Sequence, residues 1–141
     1  MIKSYRGLIA SGAQHTIPLH TNDGKTGYKV IKFEIMPVDA NTTTENVVKI
    51  YKISQTTVTT DIDFNDNTLL AASAINDSTD PGQPPSAIVI FDNEVFNQDI
   101  YVTNKGHDAT PAVNYYFELE QVNLTEDQAL VAIVKNLRNE Q

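Results

Sequence analysis

The chain has no cysteine and no tryptophan in its 141 residues. Without a thiol there is no disulfide framework, thiolate zinc site, iron–sulfur cluster or cysteine nucleophile. Without Trp, a sugar-binding module loses its commonest stacking ring. Arginine is nearly missing as well, at Arg6 and Arg138 alone. Ten Lys and Arg against eighteen Asp and Glu leave a net charge of −8, with an isoelectric point near 4.6. Nucleic-acid binders need clustered cations to displace phosphate counterions, so no nucleic-acid partner is expected. No apolar run approaches the ~20 residues that cross a bilayer, so no membrane partner is expected either. The opening Met1-Ile2-Lys3-Ser4-Tyr5-Arg6-Gly7 has no apolar stretch after its basic residues and does not read as a secretion signal.

What is abundant is branching at Cβ. Ile, Val and Thr make up about 28% of the chain, and such side chains fit a pleated sheet and crowd a helix. Asparagine, at 13 residues, is the residue of turns and left-handed corners. Turn signals recur at fairly even intervals: Ser11-Gly12, Asn22-Asp23-Gly24, 37–44, Asn65-Asp66-Asn67, 76–85, Asn93, 104–108 and Thr125-Glu126-Asp127. The expected fold class is therefore all-β: an antiparallel β-sandwich, jelly-roll or Ig-like, of roughly eight strands, in a single domain over 1–141.

Strands are predicted over 4–10, 15–20 (an edge piece, because of Pro18), 28–36, 46–53, 56–64, 87–91, 98–104 and 113–122. The fully apolar run 87–91 reads as a central strand. Residues 67–75 fit a capped helical turn or a strand. The segment 125–139 also has two readings. Thr125-x-x-Gln128 is a capping-box pattern, and Leu130, Ile133, Val134 and Leu137 fit a helical stripe; yet Val131, Ile133, Lys135 and Leu137 alternate. The closing hairpin strand is the favoured reading. The expected core is Ile31, Phe33, Ile35, Val89, Phe91, Tyr101, Phe117, Leu119 and Ile133. The polar segment 76–86, with three prolines, reads as a surface connection or as an arm that reaches a neighbouring subunit.

Candidate chemistry is thin. Asp61-Ile62-Asp63-Phe64-Asn65 matches the start of a calcium loop, but Asp66 stands where glycine must turn the chain and Ala72 where the bidentate carboxylate belongs. It reads as a strand entering an Asn/Asp turn. His15 and His20 point to opposite faces of a strand, and His107 lies in a distant turn, so the three do not form a metal set. Glu118 and Glu120 share one strand face and read as a solvated pair. Tyr115 and Tyr116 point to opposite faces and make no platform. Gly24-Lys25-Thr26 lacks the preceding glycine of a phosphate loop, His20 standing there, and reads as an Asn-Asp-Gly hairpin turn. Asn41, Asn76 and Asn123 match the glycosylation pattern by composition alone. No catalytic residue, cofactor or metal ligand is expected.

The order of segments carries a resemblance. KSYRGLIA at 3–10, TNDGKTGYKVIKFEIMP at 21–37, VVKIYK at 47–52, IDFNDNTLLAA at 62–72 and NYYFELEQ at 114–121 resemble small structural proteins of marine tailed bacteriophages. The resemblance implies a β-sandwich present in the virion and brings no site motif with it. The expectation is a non-enzymatic virion protein made in the bacterial host cytoplasm. A capsid decoration or cement protein on the major capsid protein comes first, a tail or neck component second, and a carbohydrate-binding module third. A homo-oligomer is expected, with a trimer as one candidate form and the N-terminal segment through Leu19 and the 76–86 loop as the contact stretches.

Overall fold

The computed structural model describes residues 1–39, 44–76, 86–106 and 112–139. They form β1 (Ile2–Ile9), β2 (Gln14–Ile17), β3 (Thr26–Pro37), β4 (Asn46–Tyr51), β5 (Leu69–Ile75), β6 (Ser86–Ile90), β7 (Ile100–Gly106), β8 (Val113–Asn123) and α1 (Glu126–Asn139). The strands build two antiparallel sheets, β1-β8-β3 and β2-β7-β4-β5-β6. One apolar core runs between them. Ile9, Val30, Phe33, Val113, Phe117 and Leu119 come from the smaller sheet, and Val48, Ile50, Leu70, Ala71, Ile100 and Val102 from the larger. The arrangement is sandwich-like.

β8 shows how the sequence makes the layers. Val113, Tyr115, Phe117 and Leu119 are buried while Asn114, Tyr116, Glu118 and Glu120 are not, which is the period of two of a strand with one dry face. Across the inner face Phe117 stacks on Tyr5 at 5.2 Å and on Tyr115 at 5.9 Å. In the neighbouring strand Gly7 sits opposite Tyr115. A Cβ there would lie 2.7 Å from the Tyr115 hydroxyl, so the glycine leaves room for the ring. One amide ties the sheets together: Asn104 Nδ2 donates to the Ile9 carbonyl at 2.8 Å, while Asn46 Nδ2 on the adjacent strand of the larger sheet donates to Asn104 Oδ1 at 2.9 Å.

Several expectations are corrected. The C-terminal segment is helix α1, not a hairpin strand, so the fold is mostly β rather than all-β. Its start is the capping box: Gln128 N donates to Thr125 Oγ1 at 3.2 Å, and Thr125 N to Gln128 Oε1 at 3.0 Å. Reciprocal satisfaction of these end groups, with acidic Glu126 and Asp127 in the first turn, outweighs the alternating apolar residues. Residues 56–64 form no strand. They belong to an excursion, 52–68, between the paired strands β4 and β5. The run 87–91 supplies β6, which is an edge strand and not a central one. Residues 67–75 resolve as strand β5.

The Asn22-Asp23-Gly24 turn is not a hairpin, because β2 and β3 lie in different sheets. It turns the chain between layers. Asp23 Oδ1 accepts from Lys25 N at 3.0 Å, Thr21 Oγ1 accepts from Gly24 N at 3.2 Å, and Gly24 takes φ +66°.

In the core, Phe33, Phe117 and Leu119 are fully buried as expected. A bulge between Val30 and Lys32 moves Ile31 to a half-exposed position and puts Val30 inside; such an extra residue shifts the alternation by one. Ile35 packs at the rim of the core. Val89 is exposed because its strand is at an edge, Tyr101 is half-buried, and Ile133 is a half-buried helix residue. Phe91 belongs to a second small cluster with Tyr51, Leu69 and Ala72. Of the proline-rich segment 76–86, read as a surface connection or an arm, residues 77–85 lie outside the described residues.

Candidate functional site

The outer face of the smaller sheet holds the carboxylates singled out from the sequence. Register aligns Ser4, Glu118 and Lys32 in one row and Arg6, Tyr116 and Glu34 in the next. Tyr116 stands between two open depressions. One, of about 220 Å³, is lined by Glu34, Met36, Pro37 and Asn114. The other, of about 410 Å³, is lined by Arg6, Gly7, Leu8 and Asn114. The Tyr116 hydroxyl donates to Glu118 Oε2 at 2.6 Å, and this bond to the carboxylate, with some burial, raises the phenol above its ordinary value. Lys32 Nζ lies 5.8 Å from the Tyr116 ring centre. Glu120 faces Lys29 at 3.9 Å. Glu118 and Glu120 are thus each held by a neighbour of their own row or strand. Tyr115 points the other way, into the core, as the alternation predicts.

The Asp-rich segment behaves differently from a calcium loop. Asp63 Oδ1 accepts from Asn65 N at 2.9 Å, and Asp66 Oδ1 accepts from Thr68 N at 2.9 Å and Thr68 Oγ1 at 2.6 Å. These are local side-chain-to-backbone turns, the habit of Asp and Asn in loops. The positive charge beside them is Lys49 of β4. It is 2% exposed and donates from Nζ to the Asp61 carbonyl and, at 3.4 Å, to Thr59 Oγ1. Burial lowers its pKa, opposed by the charges of Asp61 and Asp66. Nearby Tyr51 is pushed up to about 12 by burial and by Asp66, Asp63 and Asp61. Sequence reasoning missed Lys49. Its only signal was a cation at an alternating position in an otherwise apolar strand.

The histidines are separate. His15 Nδ1 lies 3.1 Å from the Tyr115 hydroxyl, bridging the two sheets. His20 Nδ1 lies 2.7 Å from Asp99 Oδ1, which also accepts from Leu19 N at 2.9 Å and His20 N at 3.1 Å. His107 lies outside the described residues. Among the described residues, no group of three or more His, Asp and Glu side chains is placed to hold a metal ion, and no helix is long and apolar enough to cross a membrane.

A third surface surrounds α1. Ala129 is buried and Ile133 half-buried, whereas Leu130, Val131, Val134 and Leu137 are exposed. An apolar groove of about 290 Å³ runs between the helix and the end of β8, lined by Val95, Val122, Leu124, Val131 and Ala132 with Lys135 at its side. The sequence placed Leu130, Val134 and Leu137 on one stripe but not on the outside. No family model, curated protein or solved structure matches this chain.

Proposed function

We propose that this chain is a non-enzymatic structural protein of a bacteriophage particle, bound in many copies to the outside of the capsid shell as a decoration or cement protein. Its partners in this reading are the major capsid protein or other virion proteins and further copies of itself, a trimer being one candidate form. Its place is the virion, after synthesis in the host cytoplasm.

The observation that carries the reading is the distribution of exposed apolar side chains on a braced sandwich. Leu8 and Met36 sit in one row across β8 on the outer face of the smaller sheet. Leu130, Val134 and Leu137 are exposed on the helix, and Ile88 and Val89 lie on the edge strand β6 of the larger sheet. Several separate apolar surfaces on one small domain suit a part that touches several neighbours. The net charge of −8 suits a surface turned to water and away from packaged DNA. The resemblance in segment order supplies the phage context. The finer fold reading, jelly-roll or Ig-like, goes with it, supported by a chain that changes sheet at each of its first three connections.

A tail or neck component is the second reading, because the same surfaces serve it. Quantitative mass spectrometry of purified particles separates the two. A decoration protein approaches the major capsid protein in copy number, and a tail or neck part is far rarer. Absence from particles overturns both. Tyr116, set between two depressions beside Arg6, Glu34 and Asn114, favours a carbohydrate-binding module as a third reading, and a specific hit on a glycan array would establish it.

A further inference from the structure

We infer that the edge of β6, which no strand among the described residues covers, pairs with β6 of a second copy, antiparallel about a two-fold axis at Ile88, joining two five-stranded sheets into one continuous sheet. An unpaired edge strand presents main-chain N–H and C=O groups that invite another strand, and natural proteins blunt such edges. Among the described residues the two sheets have four edges, and three of them are blunted. β1 carries Lys3 and Arg6, and β2 is four residues long with Pro18 close behind. β3 carries Lys29 and Lys32, a bulge at Ile31 and a terminal Pro37, and Phe96 bridges it at Tyr28. β6, Ser-Ala-Ile-Val-Ile, has no charge, no proline and no bulge in its register with β5. Ile88 is 45% exposed and Val89 36%.

The direction of its main chain can be worked out. Phe91 N donates to the Leu70 carbonyl at 3.0 Å. Antiparallel bonding alternates along a strand, so Val89 and Ala87 also bond inward to β5, and Ile88 and Ile90 offer their N–H and C=O groups outward. Pairing about Ile88 sets Ile88 against Ile88 of the second copy and Ser86 against Ile90, all of them outward-facing positions. It also sets Ala87 against Val89 on the outer face. The hydrogen-bonding positions coincide and every facing pair is uncharged.

Charge identifies the occupant. Two chains of net charge −8 each repel, so a contact between copies needs a seam free of charge. β5 and β6 are the strands without an ionisable side chain, and β5 is interior. A two-fold contact is self-complementary by construction, and this short apolar strand meets that requirement in its own register. Phe64, 57% exposed, lies against Phe91 at 5.4 Å and extends the apolar surface beside the seam.

This inference deepens the self-association part of the proposed function. Its test uses the isolated protein, so its failure leaves the particle census standing. Sedimentation equilibrium of the full chain should show mass rising with concentration from 15.6 kDa toward twice that value. Ile88→Pro removes an outward N–H and no bond to β5, a site where an edge strand tolerates proline. It should weaken association by ~tenfold or more with an unchanged far-ultraviolet spectrum.

Because the chain has no cysteine, single thiols give a clean second readout that does not depend on Ile88→Pro folding. A mixture of Ala87→Cys and Val89→Cys proteins should cross-link under mild oxidation, and each alone should not. A wild-type chain that stays monomeric throughout overturns the inference. So does a dimer that a folded Ile88→Pro retains, or a mixture that cross-links no better than its components.

Discussion

Lys49 in β4 reaches with its ammonium group to the main-chain carbonyl of Asp61, fastening the 52–68 excursion onto the outer face of the larger sheet. The stem of the side chain is buried with it, and its ammonium lies 5.4 Å from the Tyr51 ring centre. Packing and charge therefore separate by substitution. Lys49→Ala opens a cavity and should cost about 2–4 kcal/mol. Lys49→Met keeps most of the volume and loses the ammonium with its hydrogen bonds and its contact to the Tyr51 ring, and should cost about 1–2 kcal/mol. Urea unfolding measures both. Equal losses would mean that the buried stem contributes nothing, and a loss confined to Lys49→Ala would mean that the ammonium contributes nothing.

Tyr51 makes the alkaline limb of stability informative. Its phenol titrates at about 12 in the fold, against the ordinary value of 10.0. The unfolded chain thus releases this proton first as pH rises, and the native state holds more protons between these values. Its contribution is whole below pH ~10 and is lost as pH climbs toward ~12. Lys49 works oppositely: its lowered value means that its burial penalty shrinks as pH rises toward 10.5. In Tyr51→Phe the phenol difference spectrum should show one fewer late-titrating tyrosine, and stability should fall less steeply above pH ~10.

What was legible in the sequence follows the physics. Alternation in 113–122 gave a strand with its faces correctly assigned, because β8 is flanked on both sides and buried on one face. Thr125 and Gln128 announced the helix, but Ile133 and Leu137 fit either period, and only the cap geometry separates the two. The apolar run at 87–91 suggested an interior strand because composition records apolarity and not neighbours; among the described residues β6 has β5 on one side only. Ile31 was misplaced by a bulge, which no periodicity shows. Asp66 was legible as a turn former, since Asp and Asn bond to nearby backbone wherever they stand; Asp63 does the same, although its alternation with Ile62 and Phe64 suggests a strand. The cation beside them came from a strand whose pairing is set elsewhere.

Asp99 predicts the acid limb. Burial would raise its pKa, but hydrogen bonds from the His20 side chain and from the backbone of Leu19 and His20 outweigh it, and the value is lowered. A carboxylate depressed in the fold contributes stability that is present above its ordinary value of 3.8 and is lost as pH falls through the folded value. Asp99→Asn should therefore cost about 1–2 kcal/mol at neutral pH and almost nothing at strongly acidic pH. Thermal unfolding of the two proteins at both pH values tests this, and a loss independent of pH would mean that packing alone is at work.

Asn97 joins the helix to the sandwich. Its buried amide donates to the Gly24 carbonyl at 2.9 Å and to the Ala129 carbonyl at 3.2 Å. Asn97→Ala leaves both carbonyls without that donor and should cost about 2–3 kcal/mol. Helix exchange should accelerate more than exchange in β8. Equal acceleration across both elements would show that the helix opens only with the whole fold.

Gly7 tests the packing of the aromatic stack directly. A Cβ at this position meets the hydroxyl, Cζ and Cε2 of Tyr115 at 2.7, 2.8 and 2.9 Å, distances that force the ring to move. Movement separates the hydroxyl from His15 and disturbs the stack on Phe117. Gly7→Ala should therefore cost about 1–3 kcal/mol, the range for overpacked cores. Gly12 supplies the contrast. It has φ +84° and nothing within 4 Å of the added atom, so Gly12→Ala should cost only the backbone strain of ~1–2 kcal/mol. The two mechanisms separate in a Tyr115→Ala background, where the obstructing ring is gone. There Gly7→Ala should become nearly neutral and Gly12→Ala should keep its full cost. Undiminished destabilisation by Gly7→Ala in that background would place its origin in the strand backbone and not in the ring.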